Sequence, residues 1–288
     1  MHMKRELAAA AIVLSGVTAT AASAADWSNT YIGARYGTKF AEPFNNQDIS
    51  KTILNLNHVS GYTYGTNFFN VDFLMSDSKD PGGRGASAGA QEAYAVYRHT
   101  LEWGKLTKTP LSFGPVKDVG LTFGFDWNTK TDAGYNSKKR MWVLGPTLML
   151  GLSAGFLNVS ILGLWESNAP YSTFTGVATP RYSYDFHPML AAAWAIPLGK
   201  DTGLTFEGFL NWIAPKGANE FGVGTATETN IDAQVMYDVG SPLGWGKNKF
   251  KIGLEYQYWR NKFGNQHKGA AGDGAFAKTP MIRVQYHF

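Results

Sequence analysis

The chain contains no cysteine among its 288 residues. This absence excludes disulfide bonds, catalytic thiols and thiolate metal sites, and it suits a chain that crosses an oxidising periplasm before folding. Charged residues are also scarce, at 17% of the chain, whereas a soluble globular domain has about 25%. The net charge is only +4 and no run of five like charges occurs, so we expect no nucleic-acid partner.

Aromatic residues and glycine are abundant, with aromatics at 14% and 33 glycines. This composition argues against an intrinsically disordered chain and against a coiled coil. The mean hydropathy of −0.21 is too polar for a bundle of membrane-spanning helices. A polar average combined with many aromatics and glycines is typical of a membrane β-barrel.

The first 24 residues have the pattern of a secretory signal peptide. Lys4 and Arg5 precede an apolar stretch over 7–17, and the small residues at 22–24 form a cleavage site. The apolar stretch is about half as long as a membrane-spanning helix requires. We therefore predict a cleaved signal peptide over 1–24 and a mature domain over 25–288, exported to the bacterial outer membrane.

Period-two alternation of apolar and polar residues runs through the mature chain. Leu121, Phe123 and Phe125, for example, alternate with Thr122 and Gly124. A strand sorts such residues onto two faces, whereas a helix would spread them around its surface. About twelve segments follow this pattern: 30–37, 51–60, 64–76, 91–103, 118–129, 138–150, 156–166, 182–196, 203–213, 229–239, 248–260 and 276–288. Alternation is weak in the sixth and seventh of them.

These segments predict an all-β fold, a transmembrane antiparallel barrel of about twelve strands. The connections after segments 1, 3, 7, 9 and 11 are long and polar, and those after segments 2, 6 and 8 are short. Bacterial barrels have long outer loops and short periplasmic turns, so both termini are predicted to be periplasmic. The last strand alternates and ends in Phe288, which resembles the signal read by the outer-membrane assembly machinery. The expected surroundings are therefore that machinery and the outer-membrane lipid.

The sequence KLTKTPLSFGPVK over 105–117 resembles the KLT-x-T-x-LSFGP-x-K stretch of the nucleoside-specific channel (Tsx) family of outer-membrane proteins. Looser matches are the strand over 31–36, Gly208-Phe209 with Asn211, and Tyr258-Trp259. Members of that family are twelve-stranded monomeric barrels, and the best-known ones pass nucleosides. The resemblance therefore implies a monomeric channel for small uncharged solutes such as nucleosides.

A barrel of this size has a narrow lumen. A nucleoside offers a flat base and ribose hydroxyls, which aromatic faces and polar groups recognise. Alternation places suitable side chains inward, and the predicted substrate-binding residues are Arg35, Phe68, Asp72, Tyr94, Glu207, Phe209, Asn211, Glu255 and Arg283. Further inward positions are Asn55, Asn57, Asn70, Arg98, Asp126 and Asp232. The competing interpretation is that the aromatics fill space and the charges pair with one another.

Two other functions stay open at this point. One is a plugged structural or receptor barrel that serves as a phage or adhesion site. The other is an outer-membrane hydrolase, suggested by His58-Val59-Ser60 and by Asp185 with His187. The first motif lacks the asparagine expected after the serine, and the second lacks a partner acid pair. No HExxH motif is present, so we predict no enzymatic activity, no metal site and no cofactor.

Overall fold

The computed structural model describes residues 25–80 and 88–288; the predicted signal peptide lies outside the described residues. Twelve long strands dominate the fold, and their number and positions confirm the predicted segments. They are β1 (Trp27–Glu42), β2 (Asn45–Tyr62), β3 (Gly65–Ser76), β4 (Gln91–Glu102), β5 (Val116–Thr131), β6 (Arg140–Leu150), β7 (Phe156–Asn168), β8 (His187–Pro197), β9 (Leu204–Ile213), β10 (Glu228–Asp238), β11 (Phe250–Arg260) and β12 (Phe276–His287).

The strands form a closed antiparallel barrel. Each strand pairs with its neighbour in chain order, and β12 returns to pair with β1, where Tyr31 lies opposite His287 and Gly37 opposite Met281. Closure satisfies the backbone groups of every long strand, which a membrane-spanning sheet requires because lipid offers no hydrogen bonds. The start of β1 and the end of β12 lie at the same end of the barrel.

The two faces of the barrel differ as a membrane requires. Outward side chains are large and apolar, and Leu254 and Ile282, which lie opposite each other, are 70% and 62% exposed. Inward side chains are mostly polar, and Glu255 and Gln285 are nearly fully buried. Opposed residues on paired strands share a face, so the register carries this division around the sheet. The predicted transmembrane barrel is confirmed. Within the described ranges, no helix is long and apolar enough to cross a membrane.

We call the end that carries both termini the terminal end and the opposite end the loop end. The connections 63–64, 103–115, 151–155, 198–203 and 239–249 lie at the terminal end. The connections 43–44, 132–139, 169–186, 214–227 and 261–275 and the described parts of the third connection, 77–80 and 88–90, lie at the loop end. The loop-end connections contain the short strands Tyr135–Asn136, Tyr171–Ser172, Val177–Ala178 and Tyr182–Ser183, and the 3-10 turns Lys262–Gly264 and Asp273–Ala275.

Two sequence-based expectations about connections were wrong. The first connection was predicted to be long, but the pairing of β1 and β2 continues through two register shifts to Glu42 opposite Asn45. The chain then reverses at Pro43 and Phe44, and Phe44 adopts a positive φ of 65°. The eighth segment was predicted to start at 182, but Tyr182–Ser183 is a separate short strand, and β8 begins at His187.

The segment that carries the family resemblance forms a compact turn at the terminal end. It begins with the helix α1 (Trp103–Thr107). The Asp118 carboxylate accepts hydrogen bonds from the N–H groups of Gly104 at 2.9 Å and Leu111 at 3.1 Å. The Lys105 ammonium donates to the carbonyl oxygens of Tyr62 and Gly65. The segment therefore ties two neighbouring turns together and lies outside the lumen walls.

Candidate functional site

All nine predicted binding residues lie on the inward face. The register shows this strand by strand: Arg35 lies opposite Arg283, Asp72 opposite Tyr94, and Asn211 opposite Asn230. The remaining inward pairs are Phe68 with Arg98, Glu207 with Gln234, Phe209 with Asp232, and Glu255 with Gln234. Their placement agrees with the sequence analysis, whereas their role in binding stays a prediction.

Four of the nine residues form one ion-pair lattice. Arg35 pairs with Asp72 and, at 2.8 Å, with Glu255. The second oxygen of Glu255 pairs with Arg283 at 2.8 Å. Arg283 also donates to the hydroxyl of Tyr31 at 2.9 Å, a residue that sequence analysis did not select although it lies on the same face as Arg35. These charges therefore pair with one another, as the competing interpretation of the sequence proposed.

Beside the lattice runs a row of side-chain amides, which we call the amide row: Asn55, Asn57 and Asn70. The Asn70 side-chain oxygen accepts from the amide nitrogens of Asn57 at 3.1 Å and Asn55 at 3.4 Å. The Asn70 amide donates to Asp72 at 3.0 Å. Amides both donate and accept hydrogen bonds, so this row suits solute hydroxyls better than fixed ions.

The three inward aromatics differ in how free their rings are. Tyr94 is held in place, because its hydroxyl donates to Asp126 at 2.9 Å while Arg98 pairs with the same carboxylate. Phe68 is 37% exposed although it faces the lumen. Phe209 is half-buried and lies opposite Ala193. Phe68 and Phe209 therefore offer ring surface to a solute, whereas Tyr94 supports the wall.

Near Phe209 the wall is lined by small side chains. Ala193 faces inward and is exposed, with Asn158 opposite on β7 and Phe209 opposite on β9. One step toward the loop end, Ala191 lies between Ser160 and Asn211 and is half-buried, so the space in the wall is widest at Ala193. We call this region of β7–β9 the vestibule. Its six inward side chains are Asn158, Ser160, Ala191, Ala193, Phe209 and Asn211.

Toward the loop end the same three strands become closed. Six inward apolar side chains on β6–β9 are buried and pack into one cluster: Met141, Val143, Leu162, Leu164, Met189 and Ile213. Side chains that line open water would remain exposed, so this part of the lumen is packed. The burial also explains the weak alternation of segments 6 and 7, because both faces of these strands are apolar here.

Two buried ion-pair clusters lie at the loop end, and of their members the sequence analysis had singled out His187 alone, for a different role. In the Glu42 cluster, Lys51 and Lys130 each pair with both Glu42 and Asp80, and Lys262 pairs with Glu42. In the Glu166 cluster, Glu166 receives Lys216 at 2.7 Å, Lys139 at 3.7 Å and His187 at 3.8 Å. Burial lowers the pKa of Lys262, although the Glu42 carboxylate opposes this effect. Burial is the largest influence on Lys139 and acts against its charge, but Glu166, Tyr94, Asp126 and Glu228 together outweigh it, so the pKa of Lys139 is raised.

Neither suspected catalytic pair is assembled. His187 is fully buried, and its Nδ1 lies 2.8 Å from the backbone carbonyl of Asp185 rather than from the carboxylate. His58 hydrogen-bonds to the Thr30 hydroxyl at 2.7 Å, and both residues face outward. Among residues 25–80 and 88–288, no group of three or more His, Asp and Glu side chains is arranged to hold a metal ion.

No family model matches the chain, and no curated protein matches it. Among solved structures, the NanC porin is 11% identical over 88% of this chain and 98% of that chain, with a TM-score of 0.47. The KdgM porin is 10% identical over 91% and 99%, with a TM-score of 0.40. The translocator domain of the autotransporter NalP from Neisseria meningitidis is 10% identical over 100% and 96%, with a TM-score of 0.47. Likenesses this distant assign neither a family nor a solute to this chain.

Proposed function

We propose that this barrel is a passive channel of the bacterial outer membrane and that its solutes are nucleosides. The observation that carries the proposal is the vestibule beside exposed ring surface in a closed barrel with an apolar exterior. Phe68 and Phe209 face the lumen without being packed away. A wet lumen has no structural need for such rings, whereas a purine or pyrimidine base stacks on them.

The charge pattern supports an uncharged solute. Arg35 and Arg283 are already neutralised by Asp72 and Glu255, so they offer little net attraction to an anion. Ribose hydroxyls instead find Asn211 and, in the amide row, the partly exposed Asn70. A conducting channel has to release its solute, so several shallow contacts serve better than one deep site.

Conductance in planar bilayers tests the channel. Wild-type protein is expected to show a small current that falls as a nucleoside is added, and ribose alone should block far less because it lacks the base. Phe209→Ala should weaken the nucleoside block about tenfold, since stacking is worth roughly 1–3 kcal/mol per base. Open conductance should persist in that variant. Phe206→Ala is the matched control, because Phe206 lies on the same strand but faces outward against Trp194. If nucleosides block Phe209→Ala as strongly as wild type, the Phe209 ring does not contact the solute.

In the proposed channel the terminal end faces the periplasm, and the last strand, β12, takes part in assembly of the barrel in the outer membrane. Phe288 is 66% exposed on the outer face, its N–H donates to the Thr30 carbonyl at 3.0 Å, and its ring packs edge-on against Tyr286. Phe288→Ser should reduce assembly in the outer membrane while leaving export intact. Surface labelling and heat-modifiable gel mobility measure this, and normal values for both would show that the terminal ring is dispensable.

A plugged receptor barrel is the second candidate function, and one observation favours it. The apolar cluster on β6–β9 and the two ion-pair clusters are buried at the loop end, as a permanent plug would be. A plug predicts no current from folded protein under any condition, whereas a channel with a closable mouth predicts current once that mouth opens.

A further inference from the structure

We propose that the Glu42 cluster is a latch that closes the loop-end mouth of the barrel, and that loss of the Glu42 charge opens it. This inference concerns the regulation of the pore, and it rests on the proposed channel function.

Glu42 is shared by three lysines. One of its oxygens accepts from Lys51 at 2.7 Å and from Lys262 at 3.0 Å, and the other lies 3.4 Å from the ammonium of Lys130. Lys51 and Lys130 also contact Asp80, at 3.3 Å and 3.0 Å. Among the described residues, Glu42 is the one carboxylate within ion-pair distance of Lys262. Lys262 also donates to the Ala41 carbonyl at 2.8 Å, so the end of β1 holds it through one charged and one neutral acceptor.

These contacts join parts of the barrel rim that are far apart along the sheet. Lys130 lies on β5, and Lys262 lies in the connection from β11 to β12. Five strand spacings separate β5 from β12, which is roughly 24 Å along the wall at about 4.8 Å per spacing. Both ammonium groups nevertheless lie within 3.4 Å of one carboxylate. Glu42 therefore links two distant arcs of the barrel.

The Glu166 cluster completes the closure on the other side. Lys139 comes from the connection between β5 and β6, Glu166 from β7, and Lys216 from the connection between β9 and β10. Together the two clusters engage strands or connections around the whole circumference. The members of the Glu42 cluster are at most 9% exposed, although charged groups lining an open mouth would be hydrated.

The connection over 261–275 acts as a strap over the mouth. It is fastened to the β1–β2 hairpin by the Phe44 N–H, which donates to the Ala271 carbonyl at 2.9 Å, and to the β9–β10 connection by the Ala226 N–H, which donates to Gly264. Phe263 is held in the left-handed region at φ 59° and ψ 22°. A bulky residue adopts this conformation only when its surroundings enforce it, so release of Lys262 would favour a different strap conformation.

Replacing Glu42 tests the latch through single-channel recordings. Glu42→Gln leaves Lys51 and Lys130 with Asp80 as their remaining carboxylate, and it leaves Lys262 with no carboxylate among the described residues, only the Ala41 carbonyl. Removing one partner of a buried ion pair is strongly unfavourable, so the fraction of time spent open should rise about tenfold or more. Asp48→Asn is the matched control, because it neutralises an exposed carboxylate in the same hairpin, and its open fraction should equal that of wild type.

A crosslink between positions 42 and 262 tests the latch independently, in case Glu42→Gln folds poorly. The chain has no cysteine, so a cleavable bifunctional thiol reagent would act only at Glu42→Cys combined with Lys262→Cys. The uncrosslinked double variant should be open, crosslinking should return its current to the wild-type level, and cleavage should restore the higher current. Heat-modifiable gel mobility confirms that each variant is folded.

The outcomes separate the latch from the channel. Equal open fractions in wild type and Glu42→Gln, or a crosslink without effect on a measurable current, would overturn the latch and leave the channel intact. Folded wild type and variants that all pass no current would contradict the channel itself, and the permanent plug would replace both proposals.

Discussion

Ala192→Arg is expected to impair folding severely, whereas Ala193→Arg should fold nearly as well as wild type. The two alanines are neighbours at the middle of β8, and they point to opposite faces. Ala192 lies among outward apolar residues, opposite Val159 and Leu210, whereas Ala193 is exposed to the vestibule. An arginine facing lipid at the bilayer midplane costs about 2–4 kcal/mol, and the cost in the lumen is much smaller.

This pair is a strict test of register because the starting residue, the introduced residue and the depth in the membrane are the same. A slip of one residue exchanges the two faces of a strand. The free energy of unfolding in lipid vesicles, measured by urea titration, should fall for Ala192→Arg alone. Equal losses in both variants would mean that β8 is paired in a different register or that the vestibule is not hydrated.

Arg35→Met is expected to destabilise the barrel by about 3–5 kcal/mol, because it removes one member of a buried ion-pair lattice. Asp72 and Glu255 would both lose this partner, and Arg283 would be left to compensate Glu255 alone. Arg260→Met provides the control at an exposed arginine at the end of β11; surface changes of this kind are usually within about 0.5 kcal/mol of wild type.

A double-mutant cycle with Glu255→Gln sharpens this prediction. Because the two residues are in contact, the double variant should lose less stability than the sum of the single variants. Urea titration of the four proteins in vesicles gives the coupling free energy. Additive losses would show that Arg35 stabilises the barrel mainly through Asp72. If Arg35→Met were as stable as wild type, the ion-pair lattice would not contribute to the stability of the barrel.

Sequence alone predicted the fold because the physics of a membrane strand is local. One face of each strand meets lipid and the other meets the lumen, so alternation marks both the strand and its orientation, as in β5 and β11. The prediction weakened where this condition fails. On β6 and β7 the inward residues Met141, Val143 and Leu162 pack in a dry cluster, so the two faces have the same polarity and alternation disappears.

The candidate site was less predictable because it depends on contacts between distant segments. Alternation placed Phe209 and Arg35 inward. It could not show that the Phe209 ring is accessible, whereas the Arg35 guanidinium is paired with carboxylates from two other strands. The Glu42 cluster could not be predicted from the sequence for the same reason. Its members come from five segments of the chain, and nothing in the neighbourhood of Lys130 or Lys262 in sequence indicates that they meet.

The closing seam between β1 and β12 has a consequence for how the barrel is made. It joins residues up to 258 positions apart, as in the hydrogen bond between Asn29 and His287. Contacts of such high sequence separation form slowly, because the loop-closure entropy is lost before they contribute. Until the last strand is delivered, β1 and β11 both present unpaired edges on which misassembly and aggregation start. Arg283 lies on that strand and is the second guanidinium that pairs with Glu255, so the pairing of β12 with β1 both closes the sheet and completes the buried lattice.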